Sequence, residues 1–62
     1  MHKKHQTILN MATFLQTQML ELTKKCQQEE LTTSAKQGIQ TYHTVSELAL
    51  QIKREIERLN RL

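Results

Sequence analysis

From Ile8 to Cys26 the apolar residues Ile8, Ala12, Leu15, Met19, Leu22 and Cys26 recur at spacings alternating between 4 and 3. A mean repeat of about 3.5 residues marks the seam of a helix that packs lengthwise on another helix. The second half repeats it through Ala35, Gly38, Tyr42, Val45, Ala49, Ile52, Ile56 and Leu59. Between the seams, Glu29-Glu30-Leu31-Thr32-Thr33-Ser34 breaks the pattern and offers three consecutive hydroxyl residues as helix caps. Ser34 with Gln37 fits a capping box, Thr33 is the rival cap, and Leu31 is placed to staple the turn. The pattern predicts a single all-α domain over residues 1–62. Helix one should span about residues 3–29, a turn about 30–33, and helix two about 34–61.

Folding the chain about a turn near Thr32 sets Cys26 against Gly38, Leu22 against Tyr42 and Met19 against Val45. It also sets Leu15 against Ala49, Ala12 against Ile52 and Ile8 against Ile56. Large residues then face small ones in several layers, as close packing requires. One continuous helix is the alternative, because no Gly-Pro signal marks the bend, but it has no reason to show this complementarity. Gly38 inside the second helix costs about 1 kcal/mol against Ala, which points to close backbone approach.

A hairpin leaves one side of its seam wet. With 62 residues, one cysteine and therefore no internal disulfide, the chain is short of stabilising devices. Two hairpins packed about a twofold axis into an antiparallel four-helix bundle would bury the open side. Cys26, on the seam, is read as a small core residue.

A second stripe on helix one is independent of packing. Lys3, Asn10, Phe14, Gln18 and Lys25 fall on the side away from the seam at about 100° per residue. They spread over about 33 Å of helix at 1.5 Å per residue. The lysines can neutralise phosphates, the amides can donate to phosphate or sugar oxygens and base edges, and Phe14 offers a stacking or wedging ring. The formal charge of +3 and pI near 9.4 suit an acidic partner. The outer face of the second helix, with Lys36, Glu47, Arg54, Arg58 and Arg61, reads as a solvated surface.

Nothing points to an enzyme. The chain has no Asp, no glycine-rich phosphate loop and no Ser/His/acid or Cys/His set that the hairpin would bring together. No cofactor is expected. His2 and His5 share a helix face, but His43 lies far from them, so no metal site is expected either. The basic start MHKKH is followed by no continuous apolar run, so no signal peptide or membrane span is expected, and the expected location is the cytoplasm.

The run Thr7-x-Leu9-Asn10-Met11-Ala12-x-Phe14-x-x-x-Gln18-x-Leu20-x-Leu22-x-x-Lys25 resembles the first helix of the Rop (Rom) family, small RNA-binding regulators of plasmid copy number. The likeness includes Met1 and Lys3, needs no gap, and fades beyond the turn. It implies an antiparallel four-helix-bundle homodimer. It also implies RNA contact through Lys3, Asn10, Phe14, Gln18 and Lys25, all retained here. Members similar to this chain carry arginines at the positions of Thr13 and Gln16. Members also have a shorter turn, so the displaced second seam here predicts a longer loop. Rop-like proteins stabilise the loop–loop kissing complex of two plasmid antisense RNAs, which represses replication priming and lowers copy number. Two other classes compete with this expectation. One is a helical protein-interaction module anchored by Phe14. The other is a membrane-surface helix, whose apolar face would have to be the seam that the hairpin already uses.

Overall fold

A computed structural model describes residues 3–61. Two helices, α1 (Lys3–Gln28) and α2 (Thr32–Asn60), fold back on each other as a helical hairpin. The backbone extends over 49 × 17 × 8 Å, a flat rod one helix thick. Absence of proline and a single glycine leave both helices uninterrupted. Threonine, a weak helix former, is accommodated by turning its hydroxyl onto the carbonyl four residues back. Thr13 donates to Leu9, Thr17 to Thr13, Thr23 to Met19, Thr41 to Gln37 and Thr44 to Gln40, at 2.9–3.2 Å.

The helices meet along a seam that differs from the expected one. On α1 the inward positions are His5, Leu9, Ala12, Gln16, Met19, Thr23 and Cys26, again spaced 4 and 3. On α2 they are Ala35, Gly38, Tyr42, Val45, Ser46, Ala49, Ile52 and Ile56. Ala12, Met19 and Cys26 belong to both versions, but Leu15 and Leu22 are 53% and 55% exposed. Their places are taken by Gln16 and Thr23. Thr23 is 4% exposed, its hydroxyl held by the Met19 carbonyl at 2.9 Å. Gln16 donates its amide to Ser46 Oγ at 3.3 Å across the interface. Polar side chains can line the contact because their hydrogen-bonding groups are satisfied there.

Register differs too. Gly38 faces Thr23 rather than Cys26: a Cβ built on Gly38 would lie 2.5 Å from Thr23 Oγ1. The close approach expected of Gly38 is present, one turn of α1 away from its expected partner. The cause is the connection. α1 ends at Gln28 and α2 begins at Thr32, so residues 29–31 make the whole bend. Glu30 adopts a left-handed conformation, φ 63°. Its N–H donates to Gln27 O at 3.2 Å, and the N–H of Leu31 donates to Cys26 O at 2.8 Å. Those two bonds are a Schellman closure of α1, normally built on glycine. So tight a closure moves the centre of the hairpin toward the amino terminus and slides every pair.

The expected hydroxyl cap is also replaced. Leu31 stands at the N-cap of α2 with no side-chain hydrogen bond, and Thr33 and Ser34 lie inside the first turn. Leu31 is exposed and does not staple the turn. The connection is the three residues 29–31, where about four were expected. On α2 the expected seam from Ala35 to Ile56 is the one observed, with Ser46 added and Leu59 exposed, and the different set of side chains is on α1.

Candidate nucleic-acid interface

Each α1 position rotates about 100° from the last, so the contact with α2 fixes where every other side chain points. With Ala12 turned toward α2, the side of α1 farthest from the contact carries Lys3, Thr7, Asn10, Phe14, Gln18, Glu21 and Lys25, and the five candidate residues are among them. All five are exposed, and they follow one ridge along the outer side of α1. Phe14 is 62% exposed, more than Leu15 or Leu22. An aromatic ring gains nothing from folding in that position.

The polar groups beside the ring have defined roles. Gln6 Nε2 donates to Asn10 Oδ1 at 3.0 Å, which occupies the Asn10 carbonyl and leaves its NH2 group to donate outward. Thr7 turns its hydroxyl onto the Lys3 carbonyl. Phe14 borders a shallow hollow lined by Thr7, Asn10, Met11 and Leu15. The ring therefore sits at the margin of an apolar strip, with amides and lysines beyond it.

One residue of the ridge was not anticipated. Glu21 lies on the ridge between Gln18 and Lys25, a carboxylate where phosphate would approach. It precedes Lys25 by one turn, so an acidic group stands next to that lysine on the same face. Its position was open to helical counting from Phe14 and Gln18. Gln16 is turned into the hairpin against Ser46. It contributes to folding and not to the ridge. Thr13 lies between ridge and seam, its hydroxyl held by Leu9.

Beside the ridge, α1 exposes Ile8, Met11, Leu15 and Leu22 on one flank. On α2 the same side of the hairpin exposes Leu48 and Leu59, next to half-buried Val45 and Ile52. This flank is contiguous, and it is larger than the scatter of single apolar residues on an ordinary surface. The opposite side is less apolar: a hollow there is lined by Thr13, Gln16, Thr17, Leu20, Glu21 and Tyr42.

His5 is half-buried at the open end of the hairpin, where it covers the last layer. His2 lies outside the described residues. Among the described residues no group of three His, Cys, Asp or Glu side chains is gathered to hold a metal. Cys26 is a free, half-buried thiol in the helix contact. No helix among the described residues is long and apolar enough to cross a membrane. No family model, curated protein or solved structure matches the chain.

Proposed function

We propose that the protein is an RNA-binding regulator that works as a dimer of hairpins. Two copies pack their exposed flanks, Ile8, Met11, Leu15, Leu22, Leu48 and Leu59, into an antiparallel four-helix bundle. The two α1 ridges then lie side by side and present Lys3, Asn10, Phe14, Gln18 and Lys25 twice. The partner is the loop–loop kissing complex of two plasmid antisense RNAs. By stabilising it, the protein represses replication priming and lowers copy number.

The observation that carries this reading is Phe14, 62% exposed on the face of α1 turned away from α2. It is flanked by Asn10 and Gln18 one turn away on either side, with Lys3 and Lys25 farther out. Resemblance of the first helix to the Rop family supplies the identity of the RNA. A rigid ridge with few base-reading groups suits recognition of a bent RNA helix by shape.

The test pairs stability with binding. Phe14→Ala should shift stability by no more than about 0.5 kcal/mol, the range of an ordinary surface substitution. Kissing-complex affinity should fall steeply, since one substitution removes two rings and base–aromatic contacts are worth about 1–3 kcal/mol each. A variant that unfolds, or that still binds like the parent, defeats the reading. One observation favours a second reading: the hollow joining Phe14 to Met11 and Leu15 is apolar enough to anchor a partner helix. Capture of a protein through Phe14, with no salt-dependent RNA binding, would select it.

A further inference from the structure

The charge of the molecule is distributed unevenly along the rod. The open end, where α1 begins and α2 finishes, holds Lys3, Lys4, Lys53, Arg54, Arg58 and Arg61 against Glu55 and Glu57. Elsewhere three lysines face four glutamates. The entire positive excess therefore sits at one end. All the arginines of the chain are in it, within the last nine residues.

Arg54, Arg58 and Arg61 are exposed and share the outer side of α2, facing away from α1. They follow one another at about 6 and 4.5 Å along the axis. Attraction to the carboxyl end of the helix dipole accounts for cations in the last turn. It does not account for Arg54, a full turn earlier. Of the two carboxylates at this end, Glu55 accepts a hydrogen bond from Gln51 Nε2 at 3.1 Å, and Glu57 stands one turn before Arg61.

We propose that this stripe is a second polyanion-binding surface, back to back with the ridge on α1, and that its ligand is the phosphate backbone of a nucleic-acid duplex. Guanidinium groups bind phosphate through paired donors, and a row of them on a convex helix matches a row of phosphates. A single small anion would find no enclosing pocket there. A lipid surface would need apolar side chains beside the cations, whereas the outer face of α2 continues toward the turn as Gln51, Glu47, His43 and Gln40. A rod with the ridge on one side and the stripe on the other can hold two nucleic-acid segments at once. This goes beyond the ridge reading and does not require it.

The test uses the full-length protein and a blunt RNA duplex of about 20 base pairs, which has no loops for the ridge to recognise. Affinity is followed against salt for the parent, Arg54→Gln/Arg58→Gln/Arg61→Gln, Arg54→Gln alone, Phe14→Ala, and Lys24→Gln/Lys36→Gln. The triple variant should lose about tenfold or more in affinity at low salt, and its log–log salt slope should flatten by about 2–3. Arg54→Gln alone should flatten it by about 1. Phe14→Ala removes no charge and should leave the salt slope at the parent's value whatever it does to affinity, and the lysine pair should change little per charge removed. Sedimentation of each variant reports its association state. A parent that ignores the duplex, an arginine variant that binds unchanged, or equal losses per charge from the lysine pair overturns the proposal. So does dissociation of the arginine variant into single chains, which would give these arginines to the acidic turn of a second copy. Equal preference for anionic vesicles over the duplex also overturns it.

Discussion

Glu21 is where the ridge opposes its own chemistry. It stands between Gln18 and Lys25 on the exposed side of α1, and in the proposed complex its carboxylate would repel the phosphates that Lys25 would attract. Glu21→Gln should therefore strengthen RNA binding, by about threefold to tenfold at low salt, with the gain fading as salt rises. A gel-shift titration at two ionic strengths measures it, and unchanged or weaker binding would place Lys25 outside the contact. Gly38 is decided by packing. Helix propensity alone would favour Gly38→Ala by about 1 kcal/mol. The new methyl group would instead lie 2.5 Å from Thr23 Oγ1, a short β-branched side chain already bonded to the Met19 carbonyl. Gly38→Ala should cost about 1–3 kcal/mol. Adding Thr23→Ala should restore much of the loss, and denaturant melts of the two variants decide it. A stabilised Gly38→Ala would mean the helices stand farther apart.

At the scale of elements, the bend controls everything downstream of it. Glu30 holds a left-handed backbone that costs a non-glycine residue about 1–2 kcal/mol. Glu30→Gly should raise stability by about 1 kcal/mol, read as a higher melting midpoint. A lower midpoint would contradict the Schellman closure. Two helices and a hairpin were legible in the sequence because the 3.5-residue repeat appears twice, with a break between. The partnering of its stripes was not. Ile8, Leu15 and Leu22 read as seam because apolar residues are assumed to face the nearest helix. The hairpin contact runs instead through Gln16 and Thr23, whose polar atoms are satisfied by Ser46 and Met19. Nothing in their spacing announces those bonds. The cap was misread for a related reason: three hydroxyls in a row suggest an N-cap, but the Schellman bonds already finish the turn at Leu31.

For the whole molecule, the proposed dimer rests on the exposed flank. Leu15 is 53% exposed in the single hairpin and would become core only under a second copy. Leu15→Ala should cost about 2–5 kcal/mol in the dimer, and far less if the hairpin stands alone. Sedimentation equilibrium should give twice the chain mass for the parent and a shift toward single chains for the variant. A parent that stays a helical monomer would refute the bundle. The ridge residues were legible from one helix alone, since Lys3, Asn10, Phe14, Gln18 and Lys25 share a face whatever α2 does. The arginine stripe was legible too, as part of the outer face of helix two, but there it reads as a solvated surface. The central claim is that this rod recognises RNA shape created when two loops pair, and a gel shift tests it most directly. The protein is titrated against a kissing complex of two RNA hairpins and against each hairpin separately. The account predicts a discrete complex containing two protein chains with the paired loops, and much weaker binding to either hairpin. Equal binding to the separate hairpins, or none to the kissing complex, would contradict it.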